Sequence, residues 1–380
     1  MYVVEILQDH LFIMLYGGVA MMAVLAALYL LLRRSNAIVS DVESPRELRL
    51  WAAAFLLTMA ASHAWWVVFG QVWLTDDHLV RILTVIALDN MTLVPLIMAV
   101  LLRMLQDRKR PLWPVFLATV PTAVTAIVGI TTHKPIAEWI MEGYVILVGV
   151  VFVGYMTVAV MKYGRWLRDN FADLEHKEVW QSLLAPLCLL PIFYLYAYHE
   201  GEFYREYLTQ IISIIIIVFI ILRVETLRTL VVEKEEEETE SAGVVEIGMS
   251  RDVADTPSAE AVQDNSDIAT LLRNRCEKPL LYLKYDLTLS DLAKAVGIRK
   301  DKLSAWFSEQ GDTYNAYINH LRIDHFIRLY EEATAARRPF TVFELANQCG
   351  YRSYYSFSNA FKQRTGKTIT QWTRIFNGEE

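Results

Sequence analysis

Apolar residues gather in seven long runs between residues 11 and 224, and the pattern then changes to short amphipathic repeats. The runs cover roughly 11–32, 50–74, 79–102, 112–131, 139–162, 179–198 and 205–224. Each has about 20 residues or more, the length an α-helix needs to cross about 30 Å of hydrocarbon. From about Ile268 onward, apolar positions recur every three or four residues, which predicts amphipathic helices. The chain therefore reads as all-α. A seven-helix transmembrane bundle (1–230) is followed by an acidic linker (231–265) and a cytoplasmic helical domain (266–380).

Loop charges orient the bundle. Arg33, Arg34, Arg46 and Arg49 follow the first run, Arg103, Arg108, Lys109 and Arg110 the third, and Lys162, Arg165, Arg168 and Lys177 the fifth. The other loops hold only Arg81, Lys134 and Arg205. This positive-inside bias predicts an inner-membrane protein with its N-terminus outside and its C-terminus in the cytoplasm. The first run reads as a span and not as a cleaved signal, because Glu5 and Asp9 precede it in place of basic residues.

Polar groups inside hydrocarbon are costly and mark sites worth testing. His63 lies mid-run in the second span, and Asp89 and Asn90 lie mid-run in the third. His63 and Asp89 fall at similar depth. Two readings stand: a pair or ligand cavity, and ordinary hydrogen bonds between helices. Pro95, Pro121, Pro186 and Pro191 predict kinks in three helices. The aromatic clusters Trp65–Trp66, Trp139 and Phe193 through Tyr198 read as interfacial belts. The seventh span has no lysine, which argues against a retinal Schiff base.

Composition sharpens the division. Hydrophobic residues make up 54% of the chain and the net charge is -7. That charge is uneven, since Glu233–Asp264 carries 11 acids and 2 bases whereas Ser266–Arg374 carries 17 bases and 11 acids. The acidic stretch reads as a solvated spacer, with competition for the basic domain as a sharper reading. The basic domain has the sign that suits nucleic acid. Between bundle and spacer, RVETLRTLVV (223–232) can continue the seventh helix, with Leu227, Leu230 and Val231 as a short face for a homodimer. Cys188, Cys276 and Cys349 show no metal or disulfide spacing, and no cofactor or metal site is expected.

Two stretches about 53 residues apart share one plan. LTLSDLAKAVGIRKDKLSAWFSEQ reads as helix, turn, helix, with a capping box at Thr288 and Asp291 and a turn at Gly297. FTVFELANQCGYRSYYSFSNAFKQRTG repeats it, with Thr341 and Glu344 as the box and Gly350 as the turn. Leu292, Ala293, Val296, Leu303, Trp306 and Phe307 are the expected core of the first copy, and Leu345, Ala346, Tyr351, Phe357 and Phe361 that of the second. Tyr314 to Glu332 reads as one long helix between them, with Tyr317, Leu321 and Phe326 as core. Cys349 fits a packed turn better than a redox sensor.

These motifs, with LRIDHFIRLY and the closing Trp372 and Arg374, resemble the AraC family of transcription regulators over roughly Ile268–Arg374. The resemblance implies two helix-turn-helix subdomains whose reading helices, Lys300–Ser308 and Ser353–Gln363, enter successive major-groove segments of double-stranded DNA. On that basis Arg352, Tyr355, Ser358 and Asn359 are candidate base-reading positions. Lys362, Arg364 and Lys367 are candidate phosphate contacts. In the first unit the corresponding positions are Lys300, Asp301, Lys302, Ser304 and Ala305. This sequence departs from the family pattern at Arg299, where a capping serine is frequent, at Ala305, where an arginine is frequent, and at Ile369, where a proline is usual. The first unit is therefore expected mainly to hold the DNA backbone.

The expected function is a membrane-bound transcription regulator that couples a small molecule, a partner protein or a membrane state to gene expression. No nucleophile, base or nucleotide-binding loop suggests an enzyme. The alternative is a membrane receptor or transport component whose cytoplasmic helical domain binds protein.

Overall fold

The computed structural model describes residues 10–33, 35–39, 42–69, 76–180, 202–230 and 265–377. Among them the secondary structure is helical, apart from one isolated bridge. The chain divides into two compact units, Met1–Gly164 with His176–Leu230, and Arg165–Glu175 with Val231–Glu380.

The first unit contains α1 (His10–Leu32), α2 (Arg46–Val67), α3 (His78–Arg103), α4 (Trp113–Leu117), α5 (Val120–Thr132), α6 (Ile136–Asn170) and α7 (Glu202–Thr226), α6 running on past Gly164. Six described helical stretches are long and apolar enough to cross a membrane: His10–Leu32, Arg46–Val67, His78–Arg103, Trp113–Thr132, Ile136–Asn170 and Tyr207–Thr226. The expected sixth span, 179–198, lies outside the described residues except for its first two. So do Arg34, Pro186, Cys188, Pro191, Phe193–Tyr198 and the acidic linker. The fourth run is split where α4 gives way to α5. Pro121 sits in the first turn of α5, where a missing N–H costs nothing, so it restarts a helix instead of bending one. Helix α1 packs on α2 and α7, α2 on α3 and α7, and α3 on α5.

The end of α7 departs from the sequence reading. The helix stops at Thr226, and Leu227–Leu230 continue without helical structure. Tertiary hydrogen bonds replace the helical ones. Arg228 N–H donates to the His176 carbonyl at 2.7 Å and Thr229 N–H to the Glu43 carbonyl at 2.7 Å. The Gln106 amide donates to the Arg228 carbonyl at 2.8 Å, and its oxygen accepts from Leu230 N–H at 2.8 Å. Leu227 and Leu230 are buried in this unit, so they do not present the dimer face expected of them. One residue before the helix ends, fully buried Glu225 accepts from the Ala37 and Ile38 N–H groups and lies 3.8 Å from Arg49 Nη1. Arg49, one of the orienting loop charges, is itself buried and also donates to the Leu30 carbonyl and to Asn36.

The second unit contains α8 (Asn265–Leu272), a π-helical turn (Arg273–Glu277), a 3-10 turn (Leu281–Leu283), α9 (Leu289–Val296), α10 (Lys300–Glu309), α11 (Tyr314–Ala335), α12 (Val342–Gln348), α13 (Tyr354–Thr365) and α14 (Ile369–Phe376). Both expected capping boxes form. Thr288 Oγ1 accepts from Asp291 N–H at 3.1 Å, and Thr341 Oγ1 from Glu344 N–H at 3.1 Å. A third box, Thr368 with Gln371, starts α14.

Helix α11 serves two cores. Ile318 packs with Leu292, Val296, Leu303 and Phe307 around α9 and α10. Ile323, Phe326 and Tyr330 pack with Leu345, Phe357 and Phe361 around α12 and α13. Between these rows lies Arg322, which is 0% exposed. Its Nε donates to the Tyr282 carbonyl at 2.7 Å and Nη2 to the Lys284 carbonyl at 2.8 Å. Its guanidinium carbon lies 5.5 Å from the Tyr351 ring centroid. Gly350, at φ +87, completes this junction, since a Cβ there would come within 2.6 Å of the Leu283 carbonyl oxygen and 3.1 Å of Arg322 Nε.

Gly297 also has positive φ, at +79, but a Cβ there meets only the flexible end of Arg275, at 2.9 Å. Gly350→Ala is therefore expected to lower stability clearly more than Gly297→Ala, although each carries the left-handed penalty of about 1–2 kcal/mol. Thermal unfolding of the two purified variants checks the order. Equal losses would contradict it.

Candidate nucleic-acid interface

In each helix-turn-helix one helix is buried as support and the next presents an exposed face. Helix α9 buries Leu289, Leu292, Ala293 and Val296, while α10 is held by Leu303 and Phe307. Helix α12 buries Leu345 and Ala346, while α13 is held by Phe357, Ala360 and Phe361. Gly297 and Gly350 supply the left-handed turns between them.

Helix α13 begins cleanly, because Ser353 is its N-cap and accepts from Ser356 N–H at 3.2 Å. Tyr355 is 66% exposed and Tyr354 47% exposed at its start. Arg352, Asn359, Lys362, Arg364 and Lys367 lie along the same helix and its flanks, where Arg352 and Lys362 are exposed and Ser358 is half-buried. These candidate residues thus share α13 and its two ends. Two of the cations are already engaged. Arg352 Nη1 lies 2.9 Å from Asp286 Oδ2, with the guanidinium over the Tyr285 ring. Arg364 forks onto Asp324 through Nε at 3.1 Å and Nη2 at 3.0 Å.

Helix α10 begins differently. Its N-cap residue is Arg299, which makes no side-chain cap, in keeping with the missing serine. Arg299 instead forks onto Asp301, at 3.1 and 2.6 Å. That bond holds the Asp301 carboxyl below the ordinary carboxylate range. Lys302 is exposed, and Lys300 and Ser304 are half-buried.

The intramembrane candidates lie in the first unit. His63 Nδ1 lies 2.8 Å from the Met59 carbonyl and Nε2 lies 3.0 Å from the Gln210 amide oxygen. Asp89 accepts from Ser62 Oγ at 2.6 Å, Trp65 Nε1 at 3.0 Å and Trp66 Nε1 at 2.8 Å. His63 and Asp89 therefore do not pair. Each is satisfied by its own surroundings, and the bonds that cross between helices are the glue that polar side chains provide in an apolar bundle. Trp65 and Trp66 point their N–H groups at Asp89, so they are more than an interfacial belt. Asn90 is half-buried and lines a small cleft with Thr122 and Tyr144.

Two groups escaped the sequence reading. Arg322 is the buried junction, and its only signal was a charge in the apolar row formed by Ile318, Phe326 and Tyr330. Asn315 and Asn319, whose amides bind backbone carbonyls of residues 171 and 172, carried no signal at all.

A tandem pair of helix-turn-helix units joined by one long helix defines a DNA-binding regulatory module rather than a catalytic one. Residues 292–375 match the family described as a helix-turn-helix domain. The match runs from within α9 to α14, and the chain thus carries an AraC-type helix-turn-helix domain. No curated protein and no solved structure matches the chain.

Cys276 and Cys349 are fully buried in the two cores. Burial pushes both thiols up to about 12, with nearby Glu277 adding to the shift at Cys276. A thiol whose folded pKa is raised stabilises the fold below its unfolded value of 9.0, and that contribution is lost as pH climbs towards about 12. Both thiols are expected to resist iodoacetamide at pH 8 until the protein is unfolded. Rapid labelling of Cys349 in the native protein would restore the redox reading.

Proposed function

We propose that this protein is a membrane-bound, sequence-specific DNA-binding transcription regulator. Residues 1–230 form the membrane sensor, 231–265 the acidic spacer and 266–380 the DNA-binding domain. The observation that carries the reading is the outer face of α13 and its end, bearing Tyr355, Asn359, Lys362 and Lys367, on a domain that matches helix-turn-helix proteins. Helices long and apolar enough to cross a membrane precede that domain. Loop charges favour a cytoplasmic position for it, in a bacterial inner-membrane protein.

The roles divide by chemistry. Asn359 suits a bidentate bond to an adenine edge, and Tyr355, Ser358 and Arg352 flank it. Lys362 and Lys367 meet phosphates, and Arg364 joins them from its fork on Asp324. Lys300, Lys302 and Ser304 on α10 hold the backbone of the neighbouring groove segment. The membrane bundle responds to a small molecule, a protein or a membrane state and biases the DNA-binding domain, with pairing of two chains as one route. His63, Asp89 and Asn90 set the packing of the bundle.

Binding of the full-length protein, in nanodiscs, to a genomic fragment library is the direct test. Affinity should fall steeply with salt. Lys362→Gln with Lys367→Gln should reduce the log–log slope by about 1 for each phosphate that is no longer neutralised. Asn359→Ala should cost about 1–3 kcal/mol at one base position and leave non-specific binding alone. Absence of DNA binding at low salt would overturn the proposal and favour a protein-binding cytoplasmic domain.

A further inference from the structure

The segment that follows α6 is a structural part of the second unit. Ala172 is 2% exposed and belongs to the core around α9 and α10. Its N–H donates to the Leu287 carbonyl at 3.3 Å, and Phe171 forms an antiparallel bridge with Thr288. Asn315 Nδ2 donates to the Phe171 carbonyl at 3.1 Å and to the Ala172 carbonyl at 2.7 Å. Asn319 Nδ2 donates to the Ala172 carbonyl at 3.0 Å. The Asn319 oxygen in turn accepts from the Tyr351 hydroxyl at 2.9 Å, which ties the seat of this segment to the second helix-turn-helix.

A little further on, the segment meets the second reading helix. Asp173 Oδ1 lies 3.1 Å and Glu175 Oε2 3.0 Å from Ser356 Oγ, in the first turn of α13. One hydroxyl has one hydrogen to donate, so the two carboxylates share it, and Asp173 Oδ1 also accepts from Glu175 N–H at 3.1 Å. The N-terminal turn of a helix favours negative charge. When a helix of this kind enters a major groove, the same turn faces base edges and phosphates. The carboxylates thus supply the negative charge that this helix end favours.

We propose that Phe171–Glu175 is a built-in competitor for DNA at the first turn of α13. Seated, it sets Asp173 and Glu175 against Ser356 and keeps phosphate away; released, it frees the turn for binding. The segment follows directly on α6. The proposal rests on reading residues 266–380 as the DNA-binding domain.

The test compares the full-length protein in nanodiscs with two variants. D173N/E175Q removes the charge. N315A removes the donor to both carbonyls and leaves the charge unchanged. Each should bind a DNA fragment about tenfold more tightly than the parent at fixed salt, about 1.4 kcal/mol, and D173N/E175Q should do so with an unchanged midpoint of thermal unfolding. E331Q/E332Q, which removes two exposed carboxylates of α11, should not. As an independent readout, Ala172→Cys should react with a maleimide slowly without DNA and faster once DNA saturates the protein. Unchanged affinity in N315A and D173N/E175Q, in a parent that does bind DNA, overturns the proposal alone. Equal tightening by E331Q/E332Q overturns it too, by reducing the effect to net charge. No DNA binding by the parent or any variant overturns the DNA reading itself.

Discussion

The second unit depends on one buried cation. Arg322 lies in the middle of α11, and two backbone carbonyls and an aromatic face take up its charge. Those partners come from the turn before the first helix-turn-helix and from the turn within the second. A guanidinium suits this place because its planar fork reaches two carbonyls at once and still stacks on a ring. Lysine would supply one point charge and lose the geometry. Gly350 belongs to the same constraint, since only a residue without Cβ lets the Leu283 carbonyl come so close. The clamp joins the two helix-turn-helix units between the cores on either side of it.

The first unit uses buried polarity in a similar way. Apolar helices have little to choose between alternative rotations when every face is greasy. Hydrogen bonds such as those of Asp89 to Ser62, Trp65 and Trp66 select one register of α2 against α3. At the end of α7, Glu225 and Arg49 do the same, and bonds to Glu43, Gln106 and His176 hold Leu227–Leu230. A chain that leaves the unit here does so from a fixed point.

Much of the fold was legible in the chain because the signals are local. Length and hydropathy mark the first, third and seventh apolar helices within a few residues, whereas α2 starts four residues before its run and α6 continues eight residues past its own. The fourth is broken because Pro114 and Pro121 each begin a helix. Thr288, Thr341, Gly297 and Gly350 mark helix starts and turns through chemistry confined to four or five residues. The missing cap at Arg299 was equally plain. Leu227–Leu230 depart from helix although their periodicity is real, and only non-local partners show that the backbone prefers other acceptors.

What the amino-acid order determines by itself is the inventory of elements: apolar runs, capped helices, two copies of one helix-turn-helix plan, and charges on the face of α13. These depend on interactions between near neighbours, whose energies the local sequence carries. Tertiary structure alone decides which polar groups meet. Arg322 with the Tyr282 and Lys284 carbonyls, Glu225 with Arg49, and Asp173 and Glu175 with Ser356 are all far apart in the chain. Hydrogen bonds are short and directional, so their partners are set by packing, and no periodicity in the chain foretells them.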